Sequence, residues 1–146
     1  MSAPLTRTRP APPIRMVHLG LGNFFRAHQA WYSQHAADAA EWGYAAFGGR
    51  SGTIVSDLRA QDNVYTLALN APDGDRYERI ESIAMSYMGD EFDAWTTLCA
   101  AATTAIISTT VTEAGYCFNG TGIDLGNPDV QHDLAELRVG GNAMLT

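Results

Sequence analysis

The sequence predicts an α/β fold with a mainly parallel sheet and a β-hairpin insertion. Three observations predict it. A short apolar run ends in Gly20-Leu21-Gly22 and passes straight into helical periodicity. Further β-branched or aromatic runs alternate with helical ones along the chain. Asp73-Gly74, a strong turn signal, separates two strand-like runs with no helix between them.

In chain order, residues 15–19 form a short apolar strand. Residues 23–40 carry helical spacing, with Phe24, His28 and Trp31 or Tyr32 on one stripe. Trp42-Gly43 breaks that helix, and residues 44–47 make a second strand. Residues 53–61 can be helical. Residues 64–69 and 76–85 read as two strands around the Asp73-Gly74 loop. Residues 91–101 form a helix with Asp90 and Glu91 at its positive end. Residues 105–111 are an apolar, β-branched strand. Asn127-Pro128-Asp129 opens a last helix to Arg138, with proline in its first turn.

A chain of 146 residues suits one domain or most of one. The net charge of −7 argues against a nucleic-acid backbone or an anionic membrane as the main partner. Two cysteines, Cys99 and Cys117, make no disulfide framework, which points to a reducing, cytoplasmic setting. No apolar run approaches the roughly 18 residues of a membrane span. Residues 1–13, rich in proline and arginine, read as a disordered arm rather than a signal peptide. All nine basic residues are arginine. An amine base, a Schiff base or a P-loop lysine is therefore impossible within these residues.

The strand-turn-helix around Gly20 and Gly22 is the context that a phosphate-binding glycine turn requires. The first glycine allows the tight turn, and the second allows close approach of backbone N–H groups to a pyrophosphate. Phe25 occupies the position where a small residue usually stands, a departure from G-x-G-x-x-G. The plainer reading is a βα turn without a ligand. The second strand ends Phe47-Gly48-Gly49-Arg50-Ser51 and carries no acid to hold a ribose. Arg50 could meet an adenosine 2′-phosphate or stack on adenine, so the choice between NAD and NADP stays open with a lean toward tolerance of NADP.

At Gly20-Leu21-Gly22-Asn23-Phe24-Phe25-Arg26-Ala27-His28 the chain resembles the polyol-specific long-chain dehydrogenases, the family of mannitol dehydrogenase, fructuronate reductase and mannonate oxidoreductase. That family commonly reads G-x-G-x-F-H-R-A-H, so Phe25 replaces a usual histidine. Ala60-Gln61-Asp62-Asn63-Val64-Tyr65-Thr66-Leu67 resembles its A-Q-D-x-x-Y-T-L. Thr110-Val111-Thr112-Glu113-Ala114-Gly115-Tyr116-Cys117 resembles its T-V-T-E-x-G-Y segment, and Asp124-Leu125-Gly126-Asn127-Pro128-Asp129-Val130 lies close to its L-D-x-x-H-P-D-V. The resemblance runs from Ile14 to Glu136.

The resemblance implies an incomplete Rossmann-like domain over residues 14–138, followed by a tail at 139–146. It implies that Gly20, Gly22, Asn23, Phe24, Phe25, Arg50, Thr112 and Glu113 face NAD or NADP. It implies hydride transfer between a sugar alcohol or sugar acid and the nicotinamide. In the family a lysine on a second, mostly helical domain is the base, so no catalytic residue is assigned here. A separate or missing C-terminal catalytic domain is the implied partner, and the chain alone should bind weakly without turnover. The alternative is a truncated, non-catalytic remnant or interaction protein, because an incomplete sheet leaves an open edge.

Taken one at a time, other residues read as structural. His18 alternates with Val17 and Leu19 inside a strand, His28 packs or caps, and His35 and His132 lie on the surface. Cys99, Cys117, His132 and Asp133 lack metal-ligand spacing, so no metal site is expected.

Overall fold

Val17, with no solvent exposure, lies at the centre of the strand Ile14–Leu19 (β1). The computed structural model describes residues 5–49, 52–111 and 113–141. On one side β1 pairs in parallel with Gly43–Phe47 (β2) and on the other with Ile106–Thr109 (β6). β2 pairs in parallel with Ile83–Tyr87 (β5), giving the order β5-β2-β1-β6. Parallel neighbours need crossovers, and helices supply them. Asn23–Ala27 (α1) and Gln29–Gln34 (α2) lead from β1 to β2, and Phe92–Ala100 (α4) leads from β5 to β6. Between β2 and β5 lie Thr53–Arg59 (α3) and an antiparallel hairpin of Tyr65–Leu69 (β3) and Arg76–Ile80 (β4).

Strand alternation sorts the core into two layers. Met16, Tyr44, Ala46 and Ile83 pack with Phe25, Ala30, Val55 and Leu58. Val17, Ala45 and Phe47 face the other way, against Trp95, Leu98 and Cys99 of α4. There the Phe47 ring stacks on Tyr87 at 4.7 Å and meets Trp95 edge-on at 5.1 Å.

Two expectations from the sequence are corrected. The single strand over residues 76–85 is two strands in two sheets, β4 and β5. The chain changes sheets at Glu81-Ser82, both buried. Glu81 N–H donates to Gln34 Oε1 at 2.6 Å, and Ser82 Oγ donates to Ala30 O at 2.7 Å. These bonds to α2 take the place of ladder bonds, so apolar alternation runs on while pairing switches. The helix over residues 23–40 is also interrupted. His28 lies outside helical geometry, at φ −120° and ψ −77°. Its backbone N–H and its ring Nδ1 both turn to the Phe24 carbonyl, at 3.0 and 2.9 Å. A side chain competing for the carbonyl four residues back bends a helix in this way.

The N-terminal segment is described from residue 5. Its described residues 5–13 are held in place by Arg7, whose guanidinium donates to Glu81 O at 2.8 Å and to Ile83 O. The Thr8 hydroxyl donates to Glu81 Oε1 at 3.1 Å, and Gly43 N–H donates to Pro13 O at 2.8 Å. Fixed proline backbones lower the entropy cost of laying a chain against a surface.

Residues 111–146 form a second compact unit. It holds a 3₁₀ turn at Glu113–Tyr116, an isolated bridge between Phe118 and Ile123, and the helix Pro128–Arg138 (α5). Asn127 caps α5, its side chain accepting from Asp129 N–H at 2.9 Å. Among the described residues, no helix is long and apolar enough to cross a membrane.

Candidate cofactor site

β1 ends at Leu19 and the chain reverses through Gly20-Leu21-Gly22 before α1. The amides of Gly20 and Leu21 both donate to Phe47 O, at 3.0 and 3.1 Å. Gly22 N–H donates to Gly20 O at 2.7 Å. All three turn amides are therefore used inside the protein. The next three, on Asn23, Phe24 and Phe25, occupy the first helical positions, where no intrahelical acceptor exists. The Gly22 cap has no side chain to supply one. Asn23 and Phe24 are exposed and Phe25 is buried, so the amides of Asn23 and Phe24, rather than the glycine amides, are the donors that an anion can take.

Arg26 adds positive charge to the same turn. Its guanidinium donates to Asn23 Oδ1 and, through Nε, to Gly22 O at 3.4 Å. Its carbonyl accepts from the Tyr65 hydroxyl at 2.6 Å. Burial pushes the Tyr65 phenol up, so it stays a donor across the ordinary pH range. Phe24, 62% exposed, stacks on His28 at 4.5 Å and forms an apolar shelf beside the open amides. A Cβ at Gly22 would have only Gly20 O near it, at 4.0 Å, so the space in front of the turn is open.

Beneath the turn lies a polar network in an otherwise apolar core. His18 has no solvent exposure and stacks on Phe25 at 3.9 Å. Its Nδ1 lies 2.8 Å from Ser108 Oγ. Its Nε2 lies 3.3 Å from Gly20 O and 3.2 Å from Thr110 Oγ1. A carbonyl oxygen can only accept, so Nε2 carries the proton and Nδ1 accepts from the Ser108 hydroxyl. The Thr110 hydroxyl also donates to Gly20 O, at 2.8 Å.

Burial lowers the His18 pKa from 6.5 to about 4, with the Gly20 carbonyl opposing the shift. Tyr44, edge-on at 6.3 Å, stays neutral because burial raises its pKa. Between pH 6.5 and 4 the unfolded chain binds a proton that the folded chain refuses. Stability therefore falls as pH drops through that window and stops falling on this account below it. The effect is at most about 3 kcal/mol. Urea midpoints at pH 7, 5.5 and 4 should fall less in His18→Gln than in the unaltered chain. Equal slopes would show that His18 does not titrate this way.

The structure brings Gly20, Gly22, Asn23 and Phe24 together at the turn. It places the Phe25 ring, expected at the cofactor, in the core with no exposure, so only its amide belongs to the turn. Arg50 and Thr112 lie outside the described residues. Glu113 opens the 3₁₀ turn of the second unit, and its side chain is likewise outside the description. At the end of β2, Phe47-Gly48-Gly49 offers no carboxylate. Sequence reasoning missed Arg26, Ser108 and Thr110. Thr110 stands at the head of a quoted motif, but nothing local shows that its hydroxyl reaches across to Gly20. A cavity of about 360 Å³ lies elsewhere, lined by Arg7, Arg9, Gln34 and Glu81 near the start of β5.

The open amides, the flanking arginine and the unobstructed glycine fit a dinucleotide phosphate. Comparison with known proteins points the same way. Residues 14–142 match the family described as the mannitol dehydrogenase Rossmann domain. D-mannonate oxidoreductase of Escherichia coli K12 is 35% identical over 129 residues, covering 82% of this chain and 26% of that protein. Polyol:NADP oxidoreductase of Gluconobacter oxydans 621H is 38% identical over 128 residues, with coverages of 82% and 26%. The crystal structure of a D-sorbitol dehydrogenase in substrate-free form matches with a TM-score of 0.69 and 26% identity, over 99% of this chain and 36% of that one. The chain spans about a quarter of the length of these two curated relatives. In keeping with its glycine turn and parallel sheet, the chain belongs to the mannitol dehydrogenase family, through that family's Rossmann domain.

Proposed function

We propose that this chain is the nicotinamide-dinucleotide-binding portion of a polyol oxidoreductase. The observation that carries the reading is the pair of open amides on the exposed residues Asn23 and Phe24, at the turn where family membership expects a pyrophosphate. The bound nicotinamide would supply the hydride chemistry between a sugar alcohol or sugar acid and its oxidised form. The chain's own part is to bind and orient. The open amides hold the diphosphate, Arg26 offsets its charge, and the Phe24 ring shields one side from water. Gly20 and Gly22 keep side chains out of the way. Arg50, Thr112 and Glu113 complete the proposed contact set on the resemblance alone. No lysine exists among the 146 residues, so an amine base must come from a catalytic domain on a longer chain or another polypeptide. The reading carries a cytoplasmic setting with it.

NADP is proposed as an accepted cofactor alongside NAD. The end of β2 lacks the carboxylate that would repel a 2′-phosphate, and one relative is named for NADP.

The test is a thermal melt with and without NADH and NADPH. A ligand that binds only the folded state, at about a hundredfold excess over Kd, adds about 2.7 kcal/mol. For a domain of this size that is a rise of roughly 5–10 °C. An unshifted cooperative melt at millimolar dinucleotide would overturn the proposal. A second reading, an interaction protein without turnover, is favoured by β6, an edge strand whose Ile106 and Ile107 are 47% and 53% exposed. Oligomers that grow with concentration and ignore dinucleotide would support it.

A further inference from the structure

We propose that Thr110 is a positioning residue, with His18 beneath it, that sets the dinucleotide affinity of the glycine turn by clamping the Gly20–Leu21 peptide; this rests on the cofactor reading above. The peptide is held at both ends. Its carbonyl, Gly20 O, takes the Thr110 hydroxyl at 2.8 Å, the His18 Nε2–H at 3.3 Å and the Gly22 amide at 2.7 Å. Its amide, Leu21 N–H, is held by Phe47 O on the opposite neighbouring strand at 3.1 Å. A peptide plane fixed by β6 on one side and β2 on the other cannot rotate without breaking several bonds. The open amides begin only two residues further on, so that plane sets where they point.

Two more contacts tie the clamp to the rest of the turn. Thr110 is itself fixed, its N–H donating to Leu19 O at 2.9 Å. The His18 ring touches both ends of the turn, bonding Gly20 at its edge and stacking on Phe25 of α1 with its face. Strand end and helix start therefore share one buried support. Gly20 and Thr110 lie in close contact: a Cβ on Gly20 would stand 2.5 Å from Thr110 O.

The experiment compares Thr110→Val, which keeps shape and loses the hydroxyl, with Thr110→Ser, which keeps the hydroxyl. NADH and NADPH affinities are measured by titration, melting temperatures by calorimetry, and amide exchange at Leu21 and Gly22 by NMR without ligand. One lost hydrogen bond predicts about three- to tenfold weaker binding in Thr110→Val. Thr110→Ser should stay within about twofold of the unaltered chain. Faster exchange at Leu21 and Gly22 is expected in Thr110→Val alone, with the melting point little changed. A purely structural threonine would shift the melting point and leave affinity untouched, which would overturn the proposal. If the unaltered chain binds neither dinucleotide, the cofactor reading fails. The exchange data then decide on the clamp separately, faster exchange supporting it and equal exchange overturning it. Should Thr110→Val not fold, Ser108→Ala removes only the hydroxyl that holds His18 Nδ1. It should weaken binding by about threefold and speed the same two amides, and no change in either would overturn the proposal.

Discussion

Phe25→Ala is expected to cost about 3–5 kcal/mol of folding stability, read as a lower urea midpoint. The ring has no solvent exposure, stacks on His18 at 3.9 Å and meets Tyr44 edge-on at 4.9 Å. Truncation leaves a cavity in the layer between the sheet and the helices α1 and α2. That layer also holds Leu21, Ala30 and Leu58, side chains that strands and helices fix on both sides. A rigid surround collapses poorly, which places the loss at the upper end of its range. Domains are stable by about 5–15 kcal/mol, so one ring carries a large share of the total. Phe25→His should cost less, because an imidazole keeps a flat ring against His18. It is also the residue the family resemblance leads one to expect. It adds a second buried group that must refuse a proton, so its stability should fall more steeply with acid. If Phe25→Ala instead melted like the unaltered chain and lost dinucleotide binding, the ring would belong to the ligand site and not to the core.

The contrast over Phe25 shows how far the sequence could be read. The strand before Gly20, the turn itself and the capped helix after Asn127 were legible because their signals are local. The position of Gly20, Gly22, Asn23 and Phe24 at the turn was legible for the same reason. Phe25 did not, because a motif position says where the backbone goes and not which side of a helix faces the core. The change of sheet at Glu81-Ser82 was hidden because both strands keep the same alternation, while the partners that split them sit on α2. The kink at His28 and the anchoring of the arm by Arg7 rest on single side-chain bonds that no periodicity reports. Thr110 is about ninety residues from Gly20, and only pairing of β1 with β6 brings them together.

Gly20→Ala and Gly22→Ala should separate folding from binding. Gly20 has φ +110°, a region that side chains strain to enter. Its Cβ would also stand 2.5 Å from the Thr110 carbonyl, which the β1–β6 ladder prevents from yielding. Backbone strain of about 1–3 kcal/mol and overpacking of about 1–3 kcal/mol act together. The expected result for Gly20→Ala is a melting point lowered by roughly 10 °C or more, if the chain folds at all. Gly22 differs in both respects. Its φ of −82° suits any residue, and its Cβ would meet only Gly20 O, at 4.0 Å. Gly22→Ala should therefore change stability by less than about 1 kcal/mol. Its methyl group stands where phosphate must approach the open amides, so dinucleotide affinity should fall about tenfold or more. Calorimetry and titration on the two variants give a crossed pattern, one glycine for the fold and the other for the ligand. A Gly22→Ala chain that binds as well as the unaltered one would mean that the anion does not come to these amides. The ligand would then have to be sought elsewhere on the sheet's carboxyl edge.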